Sequence, residues 1–173
     1  RLVNELQELN HIETGILELN PKPVNLNLLL ESVHRMMQIN FAKKGVDLLV
    51  DLPNRDLAII ADEDRFEQIM INLLGNAMRY TPGGGEVAVN LKEKPDVVQV
   101  SVRDTGIGIP DEHLPYVFSR FYRVDDSRSR QAGGSGIGLT IAKKLVEAQG
   151  GKIWAESAGE GQGSVFHFTL PKA

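Results

Sequence analysis

At 173 residues, 42% apolar and 24% charged, the chain has the size and composition of one globular domain with its own core. No apolar run approaches the roughly 18 residues that a membrane span needs, and the absence of cysteine removes disulfides and thiolate metal sites and fits a cytoplasmic setting. A net charge of -4 argues against broad nucleic-acid binding, so any phosphate site must rely on local charge and backbone dipoles.

Arg1 to Thr14 carries Leu2, Leu6, Leu9 and Ile12 at helical steps, a narrow apolar seam suited to a partner helix and ending at Gly15. Because the chain starts inside this pattern and without Met, it is expected to be a piece of something longer. Asn20-Pro21-Lys22-Pro23 breaks the helix and is expected to mark a domain boundary. Asn27 is the expected cap of a second helix reaching about Lys44, with Leu29, Val33, Met36 or Met37 and Phe41 as its core stripe. Val46 to Leu52 and Leu57 to Ala61 read as short strands around a turn at Pro53-Asn54.

Asp62-Glu63-Asp64 opens the most informative helix, because acids in a first turn complement its dipole. At about 100° per residue, Phe66, Ile69, Met70, Leu73, Ala77 and Tyr80 gather on one flank, and Ile71, Leu74 and Met78 on the other. Between them runs a polar stripe of Arg65, Gln68, Asn72, Asn76 and Arg79. Asparagine is a poor helix-interior residue, so the pair either bridges neighbouring backbone or meets a ligand.

Tyr80-Thr81-Pro82 stops this helix. Val87, Val89 and Leu91 alternate as one strand, and Val98, Val100 and Val102 as the next, around a Glu93-Lys94-Pro95-Asp96 loop. The same alternation turns Asp104 inward, where a carboxylate needs donors. It either caps the Thr105-Gly106 turn or awaits a donor such as the exocyclic amine of adenine. The island Gly106-Ile107-Gly108-Ile109-Pro110 follows, and then a stretch from 111 to 133 read as a lid, whose Arg120, Arg123, Arg128 and Arg130 are candidates to reach a phosphate.

Gly133-Gly134-Ser135-Gly136-Ile137-Gly138-Leu139 leads into a last helix ending at Gly150-Gly151. A glycine-rich turn at a helix N-terminus suits phosphate, although such runs also serve as tight connections. Two other phosphate loops are excluded by spacing. The P-loop needs Gly-Lys-Ser/Thr and the dinucleotide fingerprint needs a third glycine, and both requirements meet Leu139 instead. Lys152 to Ser157 and Ser164 to Leu170 read as closing strands with Phe166, Phe168 and Leu170 inward. His34, His113 and His167 lack metal-ligand spacing.

Together these stretches resemble the catalytic, ATP-binding domain of sensor histidine kinases of two-component systems, in the GHKL superfamily. The N box reads Asn72-Leu73-Leu74-Gly75-Asn76-Ala77-Met78-Arg79-Tyr80-Thr81-Pro82, the first glycine box Asp104 to Pro110, the F box Phe118-Ser119-Arg120-Phe121-Tyr122-Arg123, and the second glycine box Gly133 to Leu139. The resemblance implies the Bergerat fold, an α+β two-layer sandwich with a mixed five-stranded sheet on three helices. It implies residues 1–16 as the remnant of an upstream dimerisation helix and 17–173 as the catalytic domain.

It further implies ATP and Mg²⁺ as cofactors. Asn76 would ligate the ion, with Asn72 near the ion and the phosphates. Arg79 and Arg123 would be the catalytic cations, addressing phosphate and the γ-phosphate respectively. Tyr80 and Asp104 would meet adenine, in a pocket shaped by Gly106, Gly108, Ile109 and Phe121. Gly134, Ser135, Gly136, Ile137, Gly138 and Leu139 would supply the phosphate side. The implied partners are a histidine-bearing dimerisation domain of the same protein and a response regulator, with any membrane contact through an upstream part and the fragment itself monomeric. The phosphoacceptor motif is missing, since His11 is followed by Ile12-Glu13-Thr14-Gly15. Hydrolytic relatives carry glutamate where Asn72 stands, and an amide cannot serve as that base, which favours a kinase over a clamp ATPase, a serine kinase or a nucleotide-binding pseudokinase.

Overall fold

The structure is a computed structural model and describes residues 2–124 and 133–173. The elements run α1 (Leu2–Glu13), β1 (Lys22–Asn25), α2 (Leu26–Lys44), β2 (Asp47–Val50), β3 (Ala58–Ala61), α3 (Glu63–Tyr80), β4 (Glu86–Glu93), β5 (Val97–Asp104), a 3₁₀ turn (Leu114–Tyr116), α4 (Gly138–Ala148), β6 (Ile153–Glu156) and β7 (Ser164–Pro171). Five strands form one sheet in the order β2-β4-β5-β7-β6, with β2 parallel to β4 and the other pairs antiparallel. The sheet is therefore mixed, and α2, α3 and α4 cover one face of it, as an α+β two-layer sandwich requires.

Alternation explains the buried layer. Val87 and Val89 of β4, Val98, Val100 and Val102 of β5, and Phe166, Phe168 and Leu170 of β7 are all buried against the helices. From the helices come Phe66, Ile69, Met70, Leu73 and Leu74 of α3, and Ile141, Leu145 and Val146 of α4. The Phe66 ring meets that of Phe168 at 6.0 Å between centroids. Burial of each such side chain is worth about 1.5–3 kcal/mol, which outweighs the weak helix propensity of the asparagines in α3.

The start of α2 differs from the sequence reading. Asn25, not Asn27, is the cap, its side-chain oxygen accepting from the N–H groups of Asn27 (3.0 Å) and Leu28 (3.3 Å). Asn27 is buried and spans to the 53–57 turn, donating to the carbonyls of Pro53 and Arg55 at 3.2 Å. The buried stripe is accordingly Leu26, Leu30, Val33, Met37 and Phe41, while Met36 faces outward. The Pro-rich segment does not end the first helix, which already stops at Glu13; its Lys22 and Pro23 open β1, which pairs with β3 in a separate two-stranded sheet. So β2 and β3 do not pair with each other.

α1 has 12 residues, too few to be stable alone. It packs on α4 and buries Leu9, its side chains Glu8 and Glu13 pairing with Arg65 (3.1 Å) and Arg120. At the far end of the layer, Asp62 accepts from the backbone N–H of Asn20 (2.8 Å) and of Arg65 (3.1 Å), while its own N–H donates to the Gln149 side chain (2.8 Å). The first turn of α3, the end of α4 and the segment before β1 thus meet at one point.

Candidate functional site

α3 and α4 lie side by side and antiparallel, with Asp62 against Gln149 at one end and Asn72 against Gly138 at the other. At this second end two chambers open. The smaller, about 280 Å³, lies between the first glycine box and β7, with Asp104, Ile109, Ser164 and Phe166 in its wall. The larger, about 770 Å³, is lined by Asn72 and Arg79 of α3 and by Gly133 to Gly136, Gly138 and Leu139. Asn76, Tyr80, Val117, Tyr122, Arg123 and Leu139 belong to both, so the two chambers form one bipartite cleft.

Asp104 sits at the floor of the smaller chamber with 4% exposure. One of its oxygens accepts from the N–H of Gly106 (2.9 Å) and of Ser164 (3.2 Å); the other accepts from the Ser164 hydroxyl. The turn-capping reading of this residue holds, since it accepts from Gly106 N–H, and the same residue lines the smaller chamber. Burial raises its pKa, against the opposing pull of the Ser164 hydroxyl and the two N–H groups. The folded state thus holds the proton at pH values where the unfolded chain has lost it. Stability should fall as pH climbs from the ordinary carboxylate value through the raised one, and this slope should vanish in Asp104→Asn. Denaturation midpoints across that window check the prediction; a slope that survives the substitution would assign it to another group.

The glycines around this chamber are fixed by contact. A Cβ on Gly106 would overlap the Tyr80 carbonyl oxygen, and one on Gly108, whose φ is 71°, would overlap the Gly159 carbonyl. The loop 157–163 is strapped beneath the first glycine box by Gly161 N–H to Ile107 O (2.6 Å), Gly163 N–H to Gly106 O (3.1 Å) and Ile109 N–H to the Ser157 hydroxyl (3.0 Å).

In the larger chamber the polar stripe of α3 divides. Arg65 and Gln68 are taken by Glu8 of α1, at 3.1 and 2.6 Å. Asn72, Asn76 and Arg79 face the cleft. The Asn72 side-chain nitrogen is buried with no hydrogen-bond partner. An orphaned buried donor costs about 1–3 kcal/mol, so this position calls for an acceptor such as a phosphate oxygen. Gly138 opens α4 with its absent Cβ 3.4 Å from the Asn72 oxygen, and the guanidinium of Arg79 lies 2.7 Å from where a Cβ on Gly134 would stand. At Gly134 a side chain would displace the Arg79 guanidinium, so glycine there leaves that cation room in the chamber. Among the described residues no group of three or more His, Cys, Asp or Glu side chains is placed to hold a metal; the side-chain amide oxygens of Asn72 and Asn76 and the carboxylate of Glu5 are among the neutral and acidic oxygen donors that line this chamber.

Some expected site residues lie elsewhere. Phe121 lines neither chamber; its φ of 58° turns the ring outward, 55% exposed, while its N–H holds the Gly136 carbonyl at 2.9 Å. The Ile137 side chain is fully buried in the core, and Gly106 is not in the pocket wall, although its N–H holds Asp104 there. Arg120 pairs with Glu13 of α1 and is outside both chambers. Arg128 and Arg130 fall within 125–132, outside the described residues. Conversely, Ser164, Glu160 and Lys44 line the cleft without having stood out in the sequence, and so do His113 and Tyr122, which sequence alone did not place in the site. His113 hydrogen-bonds the Tyr122 hydroxyl, which fixes that ring where the chambers join.

Residues 61–173 match the family described as histidine kinase-, DNA gyrase B-, and HSP90-like ATPase. The chain belongs to this family. Within it, the domain is 38% identical over 173 residues to the sensor histidine kinase WalK of Bacillus subtilis, covering 99% of the chain but only 28% of that protein's length. The catalytic domain of histidine kinase ThkA, in a nucleotide-free form, superposes with a TM-score of 0.77 at 33% identity, over 89% of this chain and 97% of that one. In complex with the response regulator TrrA, ThkA gives 0.75 at 32%, over 99% and 49%. Full-length ShkA in complex with AMPPNP gives 0.86 at 31%, over 99% of this chain and 35% of that one. The domain is thus a histidine kinase catalytic domain, and no helix among its described residues is long and apolar enough to cross a membrane.

Proposed function

We propose that the domain binds Mg²⁺·ATP across the bipartite cleft and transfers the γ-phosphoryl group to a histidine of a separate helical domain, for relay to a response regulator aspartate. The observation that carries this is the sharing of Asn76, Tyr80 and Arg123 by both chambers. A single ligand must then present an amine donor to Asp104 at one end and an anion to Arg79, the glycine loop and the α4 N-terminus at the other. An adenine nucleotide has that shape and polarity, and ShkA was captured with an ATP analogue.

Each residue has a task derived from its place. Asp104 accepts from the adenine amine while Ser164 and Gly106 hold the carboxylate still. The unsatisfied Asn72 amide donates to phosphate, and the Asn76 oxygen is the protein's ligand for Mg²⁺, which when bound neutralises phosphate charge. With an amide in place of an acid at position 72, the cleft holds no base on α3 to activate water. Positioning without hydrolysis suits transfer to an outside nucleophile. We place residues 1–16 with the upstream dimerisation helix and 17–173 with the catalytic domain, in the cytoplasm where ATP is available; the fragment itself is read as a monomer.

Incubated with labelled ATP, the chain alone should gain no acid-labile phosphohistidine, and it should label a separately supplied helical domain that bears the acceptor histidine. Arg123→Ala should depress that transfer about 10²-fold or more while changing ATP affinity much less, the mark of a charge used as the γ-phosphoryl group departs. Label on a histidine of this chain, or fast release of free phosphate, would overturn the reading; equal losses in binding and transfer would make Arg123 a ground-state contact.

A further inference from the structure

Lys44 is the last residue of α2, and although the residue is exposed, its ammonium group is turned back onto the end of α3. It donates to the main-chain oxygens of Met78 and of Arg79 (2.9 Å to the latter), in the final turn of α3, and it lines the larger chamber beside Gly75, Asn76 and Arg79. Lysine carries three donor hydrogens, and the two carbonyls use two of them. Across the same wall stands the Arg79 guanidinium, packed on Gly134.

Two like charges are thereby held side by side in a concave site. Burial and the charge of Arg79 both lower the pKa of Lys44 below the ordinary lysine value. Among the described residues, neither cation has an ion-pair partner. Capping the α3 carbonyls explains why the ammonium group lies here; the chamber it lines holds a second cation, Arg79, and one acid, Glu5 of α1, with which neither cation forms an ion pair. A polyanion entering the chamber would relieve the repulsion and take up the remaining donor.

We propose that Lys44 is a second anchoring cation for the polyphosphate of the bound nucleotide, acting with Arg79. This rests on the assignment of the larger chamber to phosphate, and the test separates the two. Calorimetric affinities for AMP, ADP and ATP in Mg²⁺ at fixed ionic strength would be compared for the native chain, Lys44→Gln and Lys44→Arg. Glutamine keeps a donor for the α3 carbonyls and loses the charge, whereas arginine keeps both.

The native chain should bind more tightly with each added phosphate. Lys44→Gln should lose about tenfold for ATP and under about twofold for AMP, the size of one partly exposed charge-assisted contact, and Lys44→Arg should retain most of the native gradient. An unchanged gradient in Lys44→Gln, or equal losses for AMP and ATP, would reduce Lys44 to a cap on α3 and overturn the proposal. A native chain without any gradient would instead overturn the assignment of the chamber, and the preceding reading with it.

Discussion

Asp104→Asn should weaken ATP binding by roughly 1–3 kcal/mol, or about 5- to 150-fold, while leaving the sheet intact. The carboxylate is an acceptor on every side: Gly106 N–H, Ser164 N–H and the Ser164 hydroxyl already donate to it. An amide at that place puts a nitrogen donor against either these groups or the adenine amine, and no flip satisfies both. The Ser164 hydroxyl can rotate to accept, so the protein side of the mismatch is partly relieved and the ligand side is not. Titration with ATP and GTP reads this directly. The native domain should prefer ATP, since guanine presents a carbonyl where adenine presents an amine, and the variant should lose most of that preference. If the native domain takes both nucleotides equally, Asp104 is not the group that reads the base.

Gly108→Ala should be more severe. Two costs fall on one residue, because φ is 71° and the added carbon overlaps the Gly159 carbonyl oxygen. Strained backbone and overpacking together are worth roughly 2–5 kcal/mol. The core under α3 and α4 makes no use of this contact, so the loss should appear as local opening of the 106–110 and 157–163 loops. Hydrogen exchange should accelerate at Gly161 and Gly163, whose N–H groups bond Ile107 and Gly106, while amides of β5 and β7 away from that end stay protected. ATP binding should fall by at least about tenfold as the floor of the smaller chamber loosens. Unchanged exchange at Gly161 and Gly163 would mean the two loops are not held by this contact.

The parts of this arrangement that could be read from sequence are those whose chemistry conflicts with their local setting. Asn72 and Asn76 stood out because asparagine weakens a helix that is otherwise apolar on both flanks, and Asp104 because a carboxylate falls in phase with three buried valines. The sheet was legible because strict alternation in β4, β5 and β7 leaves little freedom of register. β1 was hidden by its length of four residues and by its proline, which sits in a two-stranded edge where a missing donor is tolerated. Asn25 and Asn27 are equally good caps by type; only the distant 53–57 turn, which claims Asn27, decides between them. Ser164, Lys44 and the loop 157–163 gain their meaning from partners many residues away, and nothing local marks them. In the second glycine box and the F box, residue type located the loops but not which side chains face inward: the Ile137 side chain lies in the core and the Phe121 ring is exposed.

The meeting of Asn20, Asp62 and Gln149 has a mechanical consequence. Both helices that furnish the cleft are pinned there, and both carry their cleft residues at the opposite end. α4 has 11 residues, so with about 1.5 Å of rise for each, its glycine-bearing tip hangs about 16 Å from the pin. Over such an arm, a tilt of about 2° at the pivot moves the tip by roughly 0.5 Å, and a misplacement of about 1 Å can cost about 10²-fold in a reaction that depends on alignment. Asn20, in the segment that joins α1 to β1, is fastened to that pivot through its backbone N–H. The segment leading from α1 is thereby tied to the common base of the two helices that carry the cleft.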